Sequence, residues 1–85
     1  MAVDTGMVFS IVEDLTRREL QVLKQVATGA RNREVATSMG VSVKAVEFHM
    51  TNILGKLGAR SRTEAILRAW RVGLVRLERS EAAVD

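Results

Sequence analysis

Cysteine, proline and tyrosine are all absent from the 85 residues, aromatic residues make up only 4%, and the single histidine is His49. Without thiols, neither a disulfide framework nor a thiolate metal site can form. A general acid–base pair or a metal cage needs several titratable groups brought together. No such cluster and no Gly-rich phosphate loop stands out, so an enzyme is not expected. Nor is any cofactor, metal or small-molecule ligand. No long apolar run of the kind that spans a membrane is present. The opening MAVDTGMVFSIVED carries no basic n-region, and a reducing, cytoplasmic setting is the expectation.

What is there fits one small domain. Hydrophobic residues are 47% and charged residues 27%, an ordinary globular composition. A domain of this length buries roughly 60–65% of the surface of its unfolded chain. The net charge of +3 hides an asymmetry: residues 17–76 carry 12 Lys/Arg against 4 Asp/Glu, while both ends are net acidic. A basic middle reads either as the footprint of an anionic partner such as nucleic acid or as a solvated helical surface.

Helix signals are well punctuated. Thr16-Arg17-Arg18-Glu19 is a capping box, with Leu15 and Leu20 placed for a hydrophobic staple. A helix follows on Leu20, Leu23 and Ala27 and stops near Gly29. Asn32 is the next N-cap candidate, before a short face of Val35, Ala36 and Met39 that ends at Gly40. Only Val41 separates Gly40 from Ser42, the following cap, so these two helices cross steeply as in a helix-turn-helix.

The third helix, about Val43–Leu57, aligns Val43, Val46, Met50, Ile53, Leu54 and Leu57 on one side. Its other side carries Lys44, Phe48, Thr51, Asn52 and Gly55. Phe48 lies across from the apolar stripe, and an outward aromatic asks for a partner. His49, at the stripe's edge, reads as a half-buried packing residue or a phosphate ligand. Ser61-Arg62-Thr63-Glu64 is a second capping box. The fourth helix runs to about Val72 with Gly73 behind it, apolar on Ala65, Ile66, Ala69 and Trp70. Leu67 falls outside that arc, beside Glu64 and Arg71. Met7–Leu15 reads as a short extra helix, an arm or a linker remnant. The resulting division is an N-terminal arm or short helix over 1–14, a domain over 15–77 and a solvated tail over 78–85.

The run LTRRELQVL, then NREVA, then GVSVKAVEFHMTNILGKLGARSRTEA resembles the LuxR-type (GerE-type) helix-turn-helix domain of bacterial transcription regulators. The resemblance covers about Leu15 to Val75. It implies an all-α, four-helix bundle that binds double-stranded DNA sequence-specifically, with its third helix in the major groove. It also implies a homodimer formed through the fourth helix. Such domains usually close a larger sensor or receiver protein, so RNA polymerase or a larger regulator is a further expected partner; a membrane is not. Arg17 stands where the family often has Pro, Ala45 where it has Thr, and Glu47 and Gly55 where it has basic residues.

The resemblance makes Glu47, Phe48 and Thr51, with Asn52 beside them, the base-facing positions. Each suits a groove contact: Phe48 against a thymine methyl, Glu47 accepting from cytosine N4, Thr51 or Asn52 bonding a base edge. Phosphate contacts are expected from Asn32, Arg33, Ser42, Lys44 and Lys56, with Arg31, Arg60 and Arg62 adding charge. About five neutralised phosphates give a log–log salt slope of about −4 to −5. Glu64, Leu67 and Arg71 are the expected dimer interface. Two other readings stay open: a promoter-recognition module like the last region of a sigma factor, and a small interaction protein that keeps the fold but binds another regulator. Acidic Glu47, Ala45 and Gly55 favour the second of these.

Overall fold

The structure, a computed structural model, describes residues 14–74. Among these it contains four helices and no strand: α1 (Arg17–Ala27), α2 (Asn32–Met39), α3 (Val43–Leu57) and α4 (Arg62–Arg71). The readings for residues 1–13 and for the chain after Leu74 lie outside the described residues.

The start of α1 follows the Thr16–Glu19 signal. Thr16 Oγ1 accepts from the Glu19 amide at 3.1 Å, and the Glu19 carboxylate accepts from the Thr16 amide at 2.9 Å. Two of the four donors left free at a helix start are thereby satisfied. At α3, Ser42 Oγ accepts from the Ala45 amide at 3.0 Å.

Two starts differ from the sequence reading. Arg31, not Asn32, is the residue before α2, and Asn32 is the first residue inside it. A guanidinium has no acceptor, so only the return half of a capping box forms, with Glu34 accepting from the Arg31 amide at 2.7 Å. Asn32 is left free for another use. At α4, Ser61 Oγ accepts from the Glu64 amide, but the Glu64 carboxylate accepts from the Arg60 amide rather than that of Ser61. The box closes one residue early.

All four helices end alike. The amide following the left-handed glycine (Gly29, Gly40, Gly58 or Gly73) reaches back five residues, from Ala30 to Gln25, Val41 to Ala36, Ala59 to Leu54 and Leu74 to Ala69, at 2.9–3.1 Å. This is the Schellman arrangement, which needs a left-handed residue and favours an apolar one after it. Ala30, Val41, Ala59 and Leu74 all pack against the core. At the α2–α3 corner the left-handed residue is Gly40, at φ 69°, where any Cβ would strain the backbone.

Leu23, Ile53, Val22, Val26, Val35 and Val46 have no measurable exposure at their side chains or nearly none and form the core between the four helices. On α3 the buried set is Val46, Met50, Ile53 and Leu57. Val43, expected in that stripe, is 38% exposed; it precedes the first full turn, so core contact begins at Val46. Leu54 is half-buried.

The inner face of α4 closes the bundle with donors as well as methyls. Trp70 Nε1 donates to the Ala27 carbonyl at 2.9 Å, and the Arg68 guanidinium donates to the Leu57 carbonyl. Both carbonyls sit at helix C-termini, where no partner exists within the helix. The ends of α1 and α3 are thus fastened to the same helix, which fixes how α3 projects.

Candidate nucleic-acid interface

Burying Val46, Met50, Ile53 and Leu57 turns the other side of α3 outward. Lys44, Glu47, Phe48, Thr51 and Gly55 are all exposed, spaced i, i+3, i+4, i+7 and i+11. Phe48 is 64% exposed, the most of any large apolar side chain described. Among the described residues its aromatic neighbour is half-buried His49, with ring centroids 6.1 Å apart and planes tilted by 57°. Thr51 Oγ1 donates to the Glu47 carbonyl at 3.1 Å. Its hydroxyl proton is spent within the helix, so it offers an acceptor and a methyl outward. Asn52 is half-buried at the edge of this face. A Cβ added at Gly55 would meet nothing within 4 Å, so no packing among the described residues calls for glycine there.

Around this face stand exposed cations. Lys44 flanks it at the start of α3. Arg31 and Arg33 lie at the start of α2 and, with Glu34, line a depression there. Ser42 is exposed, and its hydroxyl already serves as a cap. Arg62 is half-buried and donates to Asn32 Oδ1 at 2.8 Å and to the Ala30 carbonyl at 3.1 Å.

Lys56 has a partner that the sequence reading lacked. Its Nζ lies 2.8 Å from Glu19 Oε1, joining the end of α3 to the start of α1. Burial pushes the Glu19 carboxyl up. The Lys56 hydrogen bond, the Thr16 amide and the Lys56 charge outweigh that, and the carboxyl sits below its ordinary range. No signal within the sequence could have paired residues 37 apart.

The residues match a known pattern. That described as "GerE: Bacterial regulatory proteins, luxR family" matches residues 13–69. This chain belongs to the luxR family. The LuxR-family match takes in all of α1 to α3 and most of α4. Among curated proteins, the response regulator protein VraR of Staphylococcus aureus is 37% identical over 65 residues, covering 76% of this chain and 31% of that protein. The VraR of Staphylococcus epidermidis gives the same figures. Among solved structures, full-length FixJ from B. japonicum aligns at a TM-score of 0.74 and 25% identity, over 85% of this chain and 35% of that chain. The chain thus spans about a third of the length of these relatives. The fold is a helix-turn-helix DNA-binding domain of the LuxR type, with α2 and α3 as the two helices of the motif.

On α4, Leu67 turns outward, 55% exposed. Arg71 is exposed and Glu64 half-exposed, each one turn from Leu67 on the same strip. Among the described residues no group of acids and histidines could hold a metal ion, and no helix is long and apolar enough to cross a membrane.

Proposed function

We propose that the chain binds double-stranded DNA sequence-specifically as part of a bacterial transcription regulator, with α3 in the major groove. The observation that carries this is Phe48, a large apolar ring held outward in mid-helix and 64% exposed among the described residues. The major groove is wide enough for an α-helix, and thymine presents its methyl there. Phe48 packs on that methyl, Glu47 accepts from a base amino group, and Thr51 and Asn52 complete the base-facing set. Arg33, Lys44, the Ser42 hydroxyl and Asn32 contact phosphate. Lys56, committed to Glu19, contributes field more than direct contact.

One such face reads only a few base pairs. The exposed strip of Glu64, Leu67 and Arg71 supports a two-fold homodimer through α4, which reads two half-sites about one helical turn apart. RNA polymerase or a larger regulator is the further partner of the assembled protein.

Selection of bound duplexes from a random pool, repeated across salt concentrations, tests this reading. The expected result is a preferred operator with two-fold symmetric half-sites and a log–log salt slope of about −4, from Arg33 and Lys44 of each protomer. Absence of duplex binding at low salt contradicts it and favours a protein-binding module, for which the exposed acid Glu47 is the best argument.

A further inference from the structure

Arg62 spends its guanidinium in an unusual way for a basic residue beside a nucleic-acid interface: it points into the molecule. One nitrogen donates to Asn32 Oδ1 at 2.8 Å and another to the Ala30 carbonyl at 3.1 Å. The second bond anchors the fork against the α1–α2 turn. The first has a consequence for Asn32. A guanidinium offers only donors, so the amide atom facing it has to be the carbonyl oxygen. The amide's two N–H donors are thereby turned away from Arg62. Asn32 is half-buried and caps nothing, since Arg31 holds the cap position of α2. Its neighbour Arg33 is exposed.

We propose that Arg62 is a positioning residue for DNA binding: by holding Asn32 Oδ1 it fixes the Asn32 amide with its donors outward, beside Arg33, toward a phosphate of the duplex. This rests on the DNA-binding reading given above. An asparagine free to rotate has to give up its alternative orientations to turn its donors to the phosphate; one whose oxygen is occupied already presents donors only. Phosphate contacts of this kind set register without reading sequence, so the effect falls on all duplexes alike.

The test is a double-variant cycle on the affinity of the 85-residue chain for a non-specific duplex, with helical content checked by circular dichroism. Asn32→Ala is expected to weaken binding about five-fold in the natural background but less than about two-fold in the Arg62→Met background, where nothing fixes the amide. The loss of the Arg62 charge is common to both arms of that comparison and cancels. Equal losses in the two backgrounds, or no loss in the natural one, overturn the proposal. A second readout needs no variant: the Asn32 side-chain amide resonances shift when duplex is added, and unmoved resonances overturn the proposal even if Arg62→Met does not fold. Failure of the natural chain to bind any duplex overturns the DNA-binding reading itself and this inference with it. Binding with an uncoupled Asn32 overturns this inference alone.

Discussion

Phe48 leaves most of its ring in water, and nothing in the described molecule covers it. An aromatic side chain forgoes a substantial transfer free energy when left exposed, and its removal should therefore cost the fold little. Phe48→Ala is expected to leave the melting temperature nearly unchanged while weakening specific DNA binding by about 1–3 kcal/mol. A melting temperature lowered by many degrees marks the ring as part of the core. Lys44 makes a different prediction from the same helix. It is exposed at the edge of the face, so Lys44→Ala weakens binding to all sequences about equally and reduces the salt slope by about one for each protomer bound. Titration of the variant against an operator and a random duplex checks this; a loss confined to the operator contradicts it.

At the scale of the helices, α3 carries a glycine it does not need for its own packing. Glycine costs on the order of 1 kcal/mol in a helix interior relative to alanine, and a Cβ at Gly55 meets open space. Gly55→Ala is expected to raise stability by up to about 1 kcal/mol in denaturant unfolding, whereas unchanged or lower stability contradicts the geometry. Much of the element layout is legible from local signals. The Thr16–Glu19 box, the Gly40 corner and the outward aim of Phe48 and Leu67 all follow from spacing within a few residues, because capping and helical periodicity are local physics. The errors at this scale have local causes as well. Asn32 looked like a cap because asparagine favours that position, but Glu34 reaches back to Arg31 and sets the helix start one residue earlier. Val43 sits on the right side of the wheel and yet outside the core, because it lies at the helix end.

At the scale of the whole molecule the legible part thins out. The tethers between helices join residues far apart in sequence: Arg62 to Asn32, Trp70 to Ala27, Arg68 to Leu57 and Lys56 to Glu19. Periodicity places each residue on its helix but holds no information about which distant carbonyl or carboxylate it meets. Glu19 shows why the omission matters. It is buried, anchors the start of α1 and holds the end of α3. Its folded carboxyl sits below the ordinary value of 4.5. Its contribution is therefore complete above that value and is lost as pH falls through the lower folded value. The melting temperature is expected to drop as pH falls below 4.5, and less steeply in Glu19→Gln, which still accepts both hydrogen bonds. Parallel pH profiles for the two proteins contradict this role. Lys56→Met, which leaves Glu19 without its charged partner, is expected to cost about 1.5 kcal/mol, held to the low end of such bonds because water still reaches the ammonium.

The functional reading stands on the orientation of α3, which the burial of Val46, Met50, Ile53 and Leu57 sets and the Lys56–Glu19 and Arg68–Leu57 tethers hold. Backbone and side-chain resonances followed during titration with duplex DNA test that orientation most directly. The prediction is that the largest shifts fall on Lys44, Glu47, Phe48 and Thr51, with the start of α2 next and the α4 strip of Leu67 and Arg71 unmoved by a single half-site. Shifts gathered on α4, with Phe48 and its neighbours unchanged, contradict the account.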